Sequence, residues 1–141
     1  MLDFKPVTID DKASIGFFFD KSDFGNCDFS FSNIFCWKHL YNTTYAIEDG
    51  FLYFRFQAGK NLPGYLYPLG EGEIRKAIER IRQDARKRDL PFHLYAVTKE
   101  MFNRIEAAMP GQFIYEKIRN WYEYIYSSSD LISLVGKKYQ S

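Results

Sequence analysis

Gly70 and Gly72 stand between a strand-like run and a helix-like run. That spacing can hold an anion. The first N–H groups of a helix have no partner inside it, and the helix dipole adds positive potential there. Glycine also lets the backbone approach a ligand closely. Glu71 and Glu73 put negative charge beside such a site, so the same residues also read as a tight strand-to-helix turn whose Glu73 complements the dipole. Cys36 and His39 fall on one helix face, with Cys27 upstream. Zinc takes about four ligands, and the chain offers only one further histidine, His93. No metal is expected, and the cysteines read as small buried thiols beside a ring cluster. Neither histidine sits in a Ser-His-Asp or Cys-His setting. Between Arg75 and Arg88 lie Arg75, Lys76, Arg80, Arg82, Arg86, Lys87 and Arg88, interrupted by Glu79 and Asp84. Such a face is either solvated and partly ion-paired or a phosphate-binding patch. Tyr122, Tyr124 and Tyr126 alternate along one strand face, the usual pattern of packed rings with wet hydroxyl tips.

These residues need positioning elements, and the pattern supplies them. Phe4–Val7 reads as a short strand. Thr8, with Asp11 three residues on, reads as the N-cap of a helix to about Phe19, with Gly16 inside it. Residues Gly25 to Asp28 form a loop, and Ser30 caps a second helix to Leu40. Tyr45–Glu48 and Phe51–Phe56 flank Asp49-Gly50, whose residues accept the positive φ angles of a tight hairpin turn. Leu52, Phe54 and Phe56 share one face. Ala58–Gly64 is a loop, and Tyr65–Leu69 is a strand that frays at Pro68. Ile74, Ala77, Ile78, Ile81 and Ala85 mark the apolar stripe of a helix over 73–88. Phe92–Val97 is a strand. Thr98 caps a helix that turns Met101, Phe102, Ile105, Ala108 and Met109 inward and ends at Pro110-Gly111. Phe113–Ile118 and Trp121–Tyr126 are two further strands. Asp130–Leu134 is a short helix with Gly136 beyond it. Helices between strands, with hairpins outside, predict an α/β (α+β) fold: a mixed, mainly antiparallel sheet with helices on both faces.

Composition bounds the rest. The 141 residues suit a single domain. Hydrophobic residues at 46% with 26% charged exclude disorder. Fourteen Phe, eleven Tyr and two Trp require a ring-rich core or interface. A net charge of +1 gives no global field toward nucleic acid or membrane. The longest uncharged run, Asn61–Gly70, is too short to span a bilayer. The N-terminus lacks a signal-peptide pattern. Two cysteines allow at most one bridge, so reduced thiols in the cytoplasm are expected.

The element order resembles the GNAT (N-acetyltransferase) fold. The run Asn26-Cys27-Asp28-Phe29-Ser30-Phe31-Ser32-Asn33-Ile34-Phe35-Cys36-Trp37 goes further, as do Tyr67-Pro68-Leu69-Gly70-Glu71-Gly72 and the tail Leu131–Tyr139. Together they resemble the first half of bacterial proteins grouped with the phosphatidylglycerol lysyltransferase C-terminal domain, whose members carry a second GNAT-like half. The resemblance implies coenzyme A or acetyl-coenzyme A as cofactor, with its pyrophosphate on Leu69, Gly70, Glu71 and Gly72 and with Asn103 near the thiol arm. Tyr67 departs from the Gln or Arg usual in that turn. Tyr95 on the cleft-bordering strand, with Glu100 and Glu106 on the next helix, are titratable groups near the implied cleft, and none is fixed as catalytic by a motif. Three functions follow as expectations. The first is one half of an acyl or aminoacyl transferase, inactive alone, with transfer RNA or an anionic lipid as possible partner of the basic helix. The second is a small acetyl-coenzyme A-dependent N-acetyltransferase. The third is a non-catalytic assembly domain whose aromatic surface docks the other half.

Overall fold

The computed structural model describes residues 1–22, 24, 26–57, 63–119 and 122–134. In chain order these form β1 (Lys5–Pro6), α1 (Lys12–Lys21), α2 (Phe31–Trp37), β2 (Thr44–Glu48), β3 (Phe51–Gln57), β4 (Pro63–Leu66), β5 (Leu69–Gly70), α3 (Ile74–Lys87), β6 (Leu94–Tyr95), α4 (Lys99–Ala108) and α5 (Ser128–Ser133). Short 3-10 turns at Ile9–Asp11 and Cys27–Phe29 precede α1 and α2. The sheet runs β1-β2-β3-β4-β6, with β5 also on β3. All pairs are antiparallel except β4 with β6, which are parallel.

The hairpin forms where its turn chemistry demands. Asp49 and Gly50 take φ of 51° and 79°, which aligns Glu48 with Phe51 and Tyr45 with Phe54. β3 is central, so both of its faces are covered. Leu52 and Phe54 pack under Ile15, Phe29 and Ile34 from the α1–α2 side. Phe51 and Tyr53 pack under Ala77, Ile81 and Ala85 of α3. The predicted two-faced sheet is therefore present, and Phe56 joins Leu52 and Phe54 on the first face.

Caps set the helix starts. Asp11 accepts from the Thr8 N–H at 2.8 Å and the Thr8 hydroxyl at 2.7 Å, the capping pattern read in the sequence. Ser30 Oγ accepts from the Asn33 N–H at 3.1 Å, and Thr98 Oγ1 accepts from the Met101 N–H at 3.3 Å. Asp84 interrupts the basic run of α3, yet it lies on the buried side with no exposure at all. Its carboxylate accepts from the Leu2 N–H at 3.0 Å, the Tyr65 hydroxyl at 3.0 Å and Arg88 Nε at 2.8 Å. Arg88 Nη2 also donates to the Leu2 carbonyl at 3.0 Å. This network ties the N-terminal segment to the back of the sheet and satisfies the buried charge. Burial, then the Asp84 charge and bond, hold the Tyr65 phenol well above its ordinary value.

Several expectations need correction. β6 spans two residues where a strand over 92–97 was predicted, because Ala96 turns to a positive φ of 54° and ends it. β4 begins at Pro63, inside the predicted Ala58–Gly64 loop, whose residues 58–62 lie outside the described ones. Residues 113–118 and 122–126 form no strand. Phe113 packs on Phe92, and Tyr115 stacks on Phe102 of α4. These rings fasten the segment to the helix side and not alongside the two-residue β6, so no ladder develops. Trp121, Gly25, Gly136 and the tail beyond Leu134 lie outside the described residues. Both cysteines are exposed, not buried as the ring-cluster reading held: α2 turns Ile34 inward and Cys36 out, and the 3-10 turn before it buries Phe29 and leaves Cys27 at the surface.

Candidate functional site

The sheet parts on one side. β4 and β6 pair through Tyr65 with Leu94 and Leu66 with Tyr95. The register of β3 with its neighbour then slips by one residue between Tyr65 and Leu69, across Tyr67-Pro68. Past that slip β5 stays on β3 and Ala96 turns away. A crevice at the carboxyl ends of parallel strands is where α/β sheets bind ligands. The two helices that start beyond it are α3, after the Gly70–Gly72 turn, and α4, after Thr98.

The α1–α2 connection lies across this parting. Phe24 meets the Tyr67 ring edge-on, with centroids 5.4 Å apart, and the Arg104 guanidinium stands 4.7 Å over Phe24. Asn26 Nδ2 donates to the Ala96 carbonyl at 3.1 Å, while Asn26 Oδ1 accepts from the Asp28 N–H at 2.8 Å. A hollow of about 360 Å³ opens here, lined by Phe19, Ser22, Phe24, Asn26, Cys27 and Phe29. Glu123 reaches in from the far end of the chain and accepts from the Cys27 N–H at 2.8 Å. The hydrogen bond to Glu123, then burial, then the negative charges of Asp28 and Glu123 push the Cys27 thiol up to about 11. It is held as a thiol, not a thiolate nucleophile. Burial, then Glu123, pushes the Asp28 carboxyl up.

The glycine turn borders a second hollow of about 500 Å³ on the α3 side of the sheet, with Tyr53, Gly72, Glu73, Lys76 and Arg80 among its walls. Glu73 is the N-cap of α3 and gives no side-chain cap. Its carbonyl accepts from Lys76 at 2.9 Å and Ala77 at 3.3 Å. That leaves the N–H groups of Ile74 and Arg75 without a partner among the described residues. Two features tune the charge. Lys21 of α1 pairs with Glu71 at 3.0 Å, which brings a cation to the turn. Arg80 pairs with Glu48, and Lys76 with Glu73 at 3.2 Å. Burial, then Glu48 and Asp49, raise the Tyr53 phenol to about 12, so it stays a proton donor.

The five residues named for coenzyme A are differently placed. Leu69 is 1% exposed and serves the core, so only its backbone faces the turn. Gly70 pairs with Phe51 so closely that a Cβ would stand 2.2 Å from the Gly50 carbonyl oxygen. Glu71 is exposed, and Gly72 takes φ of +151°. Asn103 lies on the exposed face of α4 and lines neither hollow. Tyr95 lays its ring over Gly64, Glu100 pairs with Arg104, and Glu106 accepts from the Gly111 N–H at 2.7 Å. The basic side of α3 is largely tied inward. Arg75 bonds the Ala108 carbonyl, Arg82 lies against the Phe92 and Phe113 rings, and Arg88 holds Asp84. Lys21, Phe24, Asn26 and Glu123 were not read as site residues. Asn26 stands in a quotable motif, but nothing local marks Glu123.

Residues 19–141 match the family model described as phosphatidylglycerol lysyltransferase, C-terminal. The chain belongs to that phosphatidylglycerol lysyltransferase C-terminal family. Among curated proteins none matches. A solved structure, a conserved protein of unknown function from Bacteroides thetaiotaomicron, is 40% identical. It superposes with a TM-score of 0.90 over 99% of this chain and 47% of its own. This member of the phosphatidylglycerol lysyltransferase C-terminal family thus spans about half the length of that relative. Among the described residues no helix is long and apolar enough to cross a membrane, and no three metal-ligating side chains cluster.

Proposed function

We propose that this chain is one half of a two-part acyl or aminoacyl transferase: a GNAT-like scaffold that forms one wall of a substrate groove and does not turn over alone. The observation that carries this reading is the 40%-identical relative of which the chain matches only about half. The crevice fits it in one respect: Cys27 is kept protonated and so offers no thiolate nucleophile. In aminoacyl transfer an acceptor N–H or O–H adds to an activated ester carbonyl and the ester oxygen leaves. The acceptor proton passes to a base, which in this reading the other half supplies. The test is lysyl transfer from lysyl-tRNA to phosphatidylglycerol vesicles, by this chain and by the whole Bacteroides relative. Turnover by the whole protein with none by this chain is expected. Equal turnover by this chain alone refutes the reading. We place the chain in the cytoplasm, where its two exposed, unpaired thiols stay reduced.

A second reading, acetyl-coenzyme A-dependent N-acetyl transfer, is favoured by the two open N–H groups of Ile74 and Arg75 beside Gly72, with Lys21 near the turn. Coenzyme A at millimolar concentration should then raise Tm, since a ligand bound only to the folded state stabilises it. No shift rejects that reading and leaves the first intact.

A further inference from the structure

The last described stretch of the chain carries the sequence pattern of strands but has no sheet. Phe113 and Tyr115 are partly covered, Ile114 between them is 98% exposed, and residues 116–118 are exposed. Further on, Tyr124 and Ile125 are 82% and 83% exposed, and Ile132 of α5 is 85% exposed. Isolated exposed apolar side chains are ordinary. A run of them along one segment is not, because a contiguous apolar surface marks an interaction site. Exposed rings elsewhere have neighbours of their own: Phe17 packs on Phe18 under Lys21, and Trp37 on Tyr41. Phe113, Tyr115 and Glu123 are nonetheless held in place. Phe113 is fixed on Phe92, Tyr115 on Phe102 with its hydroxyl donating to the Val97 carbonyl at 3.2 Å, and Glu123 on the Cys27 N–H. The segment is thus pinned to the domain, while Ile114, Tyr124 and Ile125 stand bare.

We propose that residues 113–119, 122–126 and the start of α5 form the surface on which the remainder of a longer, two-part chain docks, adding strand pairing to this segment. The proposal rests on the two-half reading above. The occupant follows from size. A relative sharing 40% identity over nearly this entire chain carries about as much polypeptide again outside the matched part. A covalently attached half meets this surface at high effective concentration and needs little intrinsic affinity. A partner strand would pair with this backbone, which lies in no ladder, and would cover Ile114 and one of the neighbours Tyr124 and Ile125.

Hydrogen exchange tests this on two intact proteins, this chain and the whole Bacteroides relative. Amides matching 113–118 and 122–126 should exchange at least about a hundredfold more slowly in the whole relative than in this chain, with α3 amides alike in both. In the relative's crystal structure the residues matching Ile114 and Ile125 should lie under the rest of the chain. Equal exchange in the two proteins overturns the proposal, even if lysyl transfer still requires both halves. If transfer does not require both halves but the segment is protected in the relative, the docking surface stands and the two-part catalytic reading falls. Sedimentation of this chain covers the other occupant. A dimer that Ile114→Asp dissolves, with unchanged circular dichroism, assigns the surface to a second copy and overturns the proposal. A monomer is the expected result.

Discussion

Gly70→Ala separates an architectural glycine from one kept open for a ligand. β5 and β3 pair antiparallel at Gly70 with Phe51. A Cβ on residue 70 would lie 2.2 Å from the Gly50 carbonyl oxygen, 2.8 Å from Phe51 Cα and 2.9 Å from Phe51 Cδ1. Two of these three atoms are backbone, held by the Asp49-Gly50 turn and the β2–β3 ladder, so rotamer change cannot relieve the clash. The strands must move apart by about an ångström or the hairpin must tilt. Overpacking of this kind costs about 1–3 kcal/mol, and rigid backbone on both sides puts it near the top of that range. Alanine recovers about 0.5–1 kcal/mol by restricting the unfolded chain. The net expected loss is about 2 kcal/mol, or roughly 6–10 °C in Tm for a chain of this size. Gly16→Ala is the matched control of opposite sign. It sits in the interior of α1 with nothing within 4 Å of its Cβ position, so it should gain about 0.5–1 kcal/mol. Urea melts of both variants measure the pair. If Gly70→Ala melts with the wild type while Gly16→Ala is stabilised, the hairpin is not what requires glycine at 70. The argument from close backbone packing then fails.

Asp84→Asn should destabilise the fold by about 2–4 kcal/mol, because it leaves the partly buried Arg88 guanidinium without its anion and unsettles the bonds to Leu2 and Tyr65. A chemical melt that moves by less than about 1 kcal/mol shows that the network around Leu2 and Tyr65 is dispensable. Asp11 titrates unusually low. Burial pushes its carboxyl up, but hydrogen bonds from the Tyr45 phenol and from Thr8, with the Lys5 charge, outweigh this and hold it at about 2. A depressed carboxylate adds stability that is full above its unfolded value near 3.8 and is lost as pH falls toward about 2. Asp11→Asn should therefore flatten the acid limb of stability between those values, and an unchanged limb refutes the assignment. Cys27, held up at about 11 by Glu123, should alkylate slowly at pH 8 in a Cys36→Ser background and several-fold faster once Glu123→Gln removes the carboxylate. Equal rates show that Glu123 does not reach Cys27 in solution.

Most of the fold was written in local chemistry. Asp49-Gly50 specifies its hairpin through two positive φ angles, and Thr8, Ser30 and Thr98 cap helices where their spacing says. Long-range events were not legible. Asp84 looks like one more charge on a solvated helix until Tyr65, nineteen residues earlier, and Leu2, eighty-two residues earlier, turn out to share its carboxylate. Ala96 ends β6 with a positive φ that alanine rarely adopts, so no propensity could foresee it. At the candidate site the Gly70–Gly72 turn was visible. The other hollow, walled by Phe24 and Asn26 with Glu123 bonded to Cys27, depends on contacts no motif encodes.

The strands expected over 113–118 and 121–126 are a different kind of miss. The alternation survives only at the start of the first: Phe113 and Tyr115 lean inward and Ile114 points out, while residues 122–126 are all exposed. A strand, however, is defined by its ladder, and β-propensity only describes a fit to a pleated, half-buried surface. Such a surface has two sides. This chain supplies the inner one through Phe92, Phe102 and Val97. On the docking proposal the outer one belongs to the other half, where it would cover Ile114, 98% exposed here. A pattern that matches strand chemistry without strand pairing is thus where the docking proposal puts its partner. The location is consistent with a relative in which this fold makes up less than half of the chain.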